Sequence, residues 1–317
     1  MIKRNVTVRA PASIANLGSG FDVMAVAIEG FYDLVKITAL PGDFKIQVES
    51  DGFGVPSGEE NLAYHVAKRF VEKYLKRRDI ALYITVKKGV PPGSGLGSSG
   101  ATSAAVAYGL NALFDLGLKG EDLLELAGYG EAFVAGAPHY DNVAASLLGG
   151  FVFLDLIEGK VFRYVPKESI PIGIVFPRVP GLSSTKKTAY ARSILPRTID
   201  IETHVKQSSA LAKLIYGIFT GNLKIVGEAI SHDLVVEPHR AKLIPHYYEL
   251  KQIALSEGAY GFNICGAGPS VFLIHEDLEK LKTIVNKLRD FLRSRSFDAE
   301  AYVTSVSMKG AEIVEGV

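Results

Sequence analysis

Apolar and polar residues alternate over 5–9 (Val6 and Val8 between polar neighbours), and the same period of two returns over 34–40, 44–50 and 81–87, which predicts four strands. From Asn61 the period changes. Ala63, Val66, Ala67, Phe70, Val71 and Tyr74 recur at helical spacing, with Asn61 placed as the N-cap. A glycine-dense segment over 89–100 separates the strand at 81–87 from an Ala-rich helix that runs to about 114. A further helix over 121–135, a polar loop and a strand over 150–156 complete the first half. Glu158, Gly159 and Lys160 mark a boundary, so domains of 1–157 and 158–317 are expected. The second half reads as a strand over 172–176, a polar basic loop over 183–196, and helices over 201–219, 222–232, 246–257 and 278–293. Strands over 261–265 and 271–275 flank a second glycine turn, and a last strand covers 299–305. Irregular alternation of this kind predicts an α+β fold and argues against a doubly wound parallel sheet.

Composition narrows the function. The 317 residues exceed what one core usually serves, in keeping with two domains. A net charge of +1, from 35 Lys and Arg against 34 Asp and Glu, supplies no strong positive field for nucleic acid or an anionic membrane. No apolar run approaches the roughly 20 residues of a membrane span, and the first residues lack the apolar stretch of a secretory signal. A cytoplasmic protein acting on a small molecule is expected, with neither nucleic acid nor membrane as partner; a homodimer is left open. Cys265 is the single cysteine, which excludes an intrachain disulfide and a multi-cysteine zinc site and is expected to be buried. The histidines form no His-Glu-x-x-His pair. The basic runs Lys68-Arg69, Lys76-Arg77-Arg78 and Lys87-Lys88 are expected on solvated faces.

The segment Pro91-Pro92-Gly93-Ser94-Gly95-Leu96-Gly97-Ser98-Ser99-Gly100-Ala101 lies between a predicted strand and a predicted helix. Unpaired amides and the helix dipole at such a junction favour an anion, and glycines let the backbone curl around phosphate oxygens. The segment has neither the Lys-Ser/Thr ending of a P-loop nor the dinucleotide fingerprint.

It resembles instead the phosphate loop of the GHMP kinases, P-x3-G-L-x-S-S-A, with Gly100 where that family carries Ala. Ala10-Pro11-Ala12 with Asn16-Leu17-Gly18 is similar to the family's N-terminal motif, and Gly261 to Ser270 to its C-terminal glycine turn. The resemblance implies two α+β domains with ATP between them, a left-handed βαβ crossover in the first, ATP contacts from residues 91–101 and from Asn61, and Mg²⁺ held by Ser98 and Glu131. Glu131 carries a separate signal. On a helix starting at Glu121 it falls beside Leu123, Leu124, Ala127 and Val134, and an inward carboxylate needs a partner or a cation.

Gly20-Phe21-Asp22, His139-Tyr140-Asp141-Asn142-Val143-Ala144 and Glu237-Pro238-His239-Arg240 resemble the branch of the family that phosphorylates homoserine; mevalonate or shikimate are the alternative acceptors, and a non-catalytic sensor the alternative class. Homoserine is a zwitterion bearing a primary hydroxyl. Its carboxylate suits the planar forks of Arg192 and Arg240, its ammonium Asp22 and Asn16, with polar contacts from His139 and Thr188. Asn142 stands where mevalonate kinases carry Asp, so it is expected to orient the hydroxyl and not to accept its proton.

Overall fold

The computed structural model describes residues 5–76, 78–135, 139–179 and 184–314. Its chain begins with β1 (Asn5–Ala15), β2 (Met24–Pro41), β3 (Lys45–Asp51), α1 (Leu62–Phe70), β4 (Ile80–Lys87), α2 (Ser98–Phe114), α3 (Gly120–Ala135), α4 (Tyr140–Leu148), β5 (Phe151–Asp155) and β6 (Lys160–Tyr164). It continues through β7 (Pro171–Pro177), α5 (Ser184–Ser193), α6 (Ile201–Thr220), α7 (Leu223–Ile230), α8 (Glu237–Arg240), α9 (Tyr247–Ser256), β8 (Gly261–Ile264), β9 (Val271–Ile274), α10 (Leu278–Ser294), β10 (Ala299–Ser305) and β11 (Glu312–Ile313).

The first sheet has the order β11-β1-β2-β4-β3, and β2 is long enough to pair with β5 near its start and with β4 near its end. Only β3 and β4 run parallel, because α1 carries the chain back between them. The second sheet, β10-β7-β9-β8, is antiparallel throughout. It meets the first through a bridge between Ile28 and Val306 and a hydrogen bond from the Thr304 hydroxyl to the Glu29 carbonyl at 2.7 Å.

Three apolar clusters hold this together. One lies between the first sheet and α1 to α4, with Phe70 fully buried at its centre; burial of a side chain of that size is worth about 2–3 kcal/mol. Another joins α9 and α10 to the second sheet. The third fills the junction, where Ile14, Met24 and Ile28 meet Ile174, Leu214 and Phe272. Leu96 and Ala101 of the glycine loop, and Cys265 of the glycine turn, belong to this junction cluster, so both loops are seated on one packed floor.

Several expectations change. The boundary at 157/158 falls within the turn of the β5-β6 hairpin, whose antiparallel pairing carries the first sheet on to Tyr164. The chain's end also returns to that sheet as β11. The polar loop before Gly150 contains α4, and the loop over 183–196 contains α5. Val143, Ala144, Ala145, Ser146 and Leu147 of α4 are all buried, so no polar face breaks the pattern at helical spacing. Among the basic runs, Lys88 is buried: it follows Leu82, Ile84 and Val86 on the inward face of β4. Arg77 lies outside the described residues. Among those residues no helix is long and apolar enough to cross a membrane.

Candidate active site

A cavity of about 580 Å³ opens where the glycine loop, the turn after β8, and α3, α4 and α5 converge. The loop is clamped from behind: Ser13 N donates to the Leu96 carbonyl and Ser270 N to the Ser94 carbonyl, each at 3.1 Å. Glycine is required at two of its positions. Gly95 has φ +89°, and a Cβ there would sit 2.4 Å from the Cys265 carbonyl oxygen; at Gly97, with φ +67°, it would sit 2.2 Å from Ser13 Oγ. The chain turns there into α2, whose first amides have no partner within the helix and open onto the cavity beside Gly97, Ser98 and Ser99.

Not every loop residue expected at the nucleotide reaches the cavity. Pro92, Gly93, Gly95, Gly97, Ser98 and Ser99 line it, whereas Pro91, Ser94, Leu96, Gly100 and Ala101 form the buried layer behind. Ser94 Oγ donates to the Pro91 carbonyl at 2.7 Å and accepts from Leu96 N, which fixes the turn from inside. Asn61 lines the cavity, as do Leu62, Val55, Pro56, Phe53 and Phe133. Its side chain is already used: Oδ1 caps α1 through Ala63 N, and Nδ2 donates to the Pro56 carbonyl at 2.7 Å. Phe133 stacks on His65 with ring centroids 3.6 Å apart.

Glu131 comes inward from α3 at 5 % exposure, and its Oε1 has no hydrogen-bond partner. Burial raises its pKa to about 7, with the Ser99 hydroxyl offsetting part of the effect. Behind Ser98 lies a network that the sequence reading missed. Lys88 Nζ donates to an oxygen of Asp33 and, at 2.9 Å each, to Thr102 Oγ1 and the Ser98 carbonyl. The other Asp33 oxygen accepts from Gly89 N and Val90 N, both at 3.0 Å. The strand end and the helix start are thereby tied to one buried ion pair.

Elsewhere on the cavity wall, Arg192 grips Asp22 with both arms, at 2.6 and 3.1 Å, while Asn16 Oδ1 accepts from Asp22 N. Arg240, 4 % exposed, donates to the Gly266 carbonyl at 2.8 Å and to the Ala191 carbonyl at 3.3 Å. Burial lowers its pKa to about 10, which still leaves it charged at neutral pH. Both guanidinium groups lie near the Phe21 ring, 5.4 Å from its centroid for Arg192 and 5.1 Å for Arg240. His139 faces the same space with its pKa lowered, chiefly by burial, and its buried Nδ1 has no partner. Thr188 also lines the cavity.

Asn142, on the first turn of α4, accepts a 2.9 Å hydrogen bond from Ser13 Oγ at Oδ1. Its neighbour Asp141 is turned inward: Oδ1 accepts from Asn142 N at 2.7 Å, and burial raises its pKa to about 6. Asn16, Asp22, His139, Asn142, Thr188, Arg192 and Arg240 therefore line one cavity together with Ser98, Glu131 and Asn61. Lys88, Asp33, Thr102, Ser13, Phe21 and Lys187 are additions. Only Lys88 had a usable signal, its place in the inward register of β4.

Residues 61–150 match the GHMP kinases N terminal domain and residues 211–294 the GHMP kinases C terminal domain. The chain is 36% identical over 321 residues to a homoserine kinase of Thermoplasma acidophilum, covering 98% of this chain and 97% of that one. A homoserine kinase of Methanococcus vannielii is 39% identical over 275 residues, 86% of this chain and 88% of its own. A crystal structure of homoserine kinase from Cytophaga hutchinsonii superposes with a TM-score of 0.89 at 30% identity, covering 99% of this chain and 98% of that one.

Proposed function

The chain belongs to the homoserine kinases of the GHMP kinase family, and from that membership we infer that it transfers the γ-phosphoryl group of ATP to the hydroxyl of L-homoserine. The product is O-phospho-L-homoserine, an intermediate of threonine synthesis. The observation that carries this reading is that one cavity is lined both by the helix-start glycine loop and by a carboxylate with two guanidinium groups, Asp22, Arg192 and Arg240.

The polyphosphate lies against the amides that open onto the cavity at Gly97, Ser98 and Ser99, where backbone donors and the α2 dipole act together. Ser98 and Glu131 would hold Mg²⁺. The partnerless, buried Glu131 Oε1 fits a cation ligand, and Mg²⁺ bound to nucleotide takes few protein ligands. When bound, the ion neutralises charge on the phosphates.

At the acceptor end, the Asp22-Arg192 pair presents the two charges that a zwitterion complements. An amino acid entering there offers its ammonium to Asp22 and its carboxylate to Arg192 and Arg240, so each charge taken from water finds a fixed partner. Ser13 holds Asn142 Oδ1 and Asp141 Oδ1 accepts from Nδ2 at 3.4 Å, leaving the second Nδ2 hydrogen for the acceptor hydroxyl. An amide cannot take the proton. The hydroxyl oxygen forms the new bond to phosphorus as the bond to the ADP oxygen breaks, and the proton leaves through the phosphoryl oxygens or solvent, since a loose transition state needs no early deprotonation. The enzyme's work is alignment, where effective molarities are large.

Release of ADP from Mg-ATP, with L-homoserine, L-serine, mevalonate or shikimate supplied separately, tests the reading. Turnover with homoserine alone is expected. Turnover only with another alcohol would retain the kinase and discard the substrate.

A further inference from the structure

Lys187 is 4 % exposed on α5, and its Nζ donates to the Gly93 carbonyl of the glycine loop at 2.5 Å and to the Gly268 carbonyl of the glycine turn. The other buried lysine, among the described residues, sits on a carboxylate, Lys88 on Asp33, and the part-buried Lys251 sits on Glu237. Lys187 has none among the described residues, and burial lowers its pKa to about 7. Carbonyls orient an ammonium without neutralising it, and a buried unpaired charge is costly. An ammonium has three donors, of which two are engaged. The side chain lines the cavity. Arg192, on the same helix, pairs with Asp22 and lines the same cavity, so α5 brings one cation to the acceptor residues and another, Lys187, to the glycine loop.

We propose that Lys187 gives its third N–H to the terminal phosphoryl group of the bound nucleotide and is a further catalytic residue, the cation that offsets charge on that group during transfer. This rests on the kinase reading. The same grip also ties the loop to the turn, so the test must separate charge from clasp.

Binding of AMP-PNP, ADP and adenosine to the full chain, without acceptor, is measured by calorimetry for wild type, Lys187→Met and Lys187→Gln. Gln keeps amide donors for the carbonyls but no charge, and it stands in where Met fails to fold. Adenosine should bind both variants as it binds wild type, while AMP-PNP binding falls by about tenfold or more, as loss of a charge-assisted hydrogen bond implies. With saturating homoserine, kcat should fall further than KM for homoserine rises. Equal weakening of all three ligands, or unchanged AMP-PNP binding, would overturn the proposal and leave Lys187 a structural clasp. Wild-type protein that turns over no acceptor would count against the kinase reading instead, because the binding ratios are independent of turnover.

Discussion

Arg240 and Glu131 show how single buried charges define this site. Arg240 is held by two carbonyls and lies over the Phe21 ring, which Arg192 also approaches. Lys would not reproduce that fork. Arg240→Leu is expected to raise KM for homoserine by about a hundredfold, the cost of a lost buried charge pair, with KM for ATP within a few-fold; equal effects on both would contradict the carboxylate role. Glu131 makes a pH prediction. Its pKa rises from an ordinary 4.5 to about 7 through burial, so the native state binds a proton more tightly than the unfolded chain. The penalty is absent below 4.5, grows between the two values and is complete above 7, reaching roughly 3 kcal/mol without metal. Without Mg²⁺, Glu131→Gln should therefore melt higher than wild type at pH 8 and match it near pH 4, and it should lose stabilisation by Mg-nucleotide. A wild-type advantage at pH 8 without Mg²⁺ would contradict the assignment. At this scale the sequence disclosed Glu131 because it broke an apolar stripe. It did not disclose Lys187, whose partners are carbonyls roughly 80 to 95 residues away.

Elements with a strong period were legible and those without one were not. Asp277 caps α10, and Leu281, Ile284, Val285, Leu288 and Leu292 line its buried side, so both its start and its face follow from the sequence. By contrast α4 is buried almost all round, while α5 begins Ser-Thr-Lys-Lys and shows no apolar stripe. Tertiary contacts form these two helices, and together they supply Asn142, Lys187, Thr188 and Arg192. The glycine loop was legible as the turn between a strand and a helix, but not which of its residues face the cavity, since that depends on the floor beneath it. Gly95→Ala tests that packing: the new Cβ meets the Cys265 carbonyl at 2.4 Å with φ at +89°. Gly159 has φ +69° and open space around it, so Gly159→Ala reports the backbone cost alone, about 1 kcal/mol. Gly95→Ala is expected to lower Tm by several degrees more and to weaken nucleotide binding by at least about tenfold; equal melting shifts would refute the close approach.

At the scale of the whole molecule, the α+β class and the division into two halves were legible, but the connections that close the structure were not. A two-residue strand such as β11 carries no period, and the exposed edge strand β6 reads as a turn. These pieces, with the Ile28-Val306 bridge, join the halves into one frame around the cavity. The frame matters because the proposed transfer needs groups of both halves at one cavity: the glycine loop and Asp22 come from the first, Lys187, Arg192 and Arg240 from the second. The most direct test of the account is phosphorus NMR of the products formed from Mg-ATP and L-homoserine. A phosphomonoester signal split into a triplet by the two protons of a neighbouring CH₂, growing in step with ADP, is the predicted result. ADP accompanied only by inorganic phosphate would contradict it.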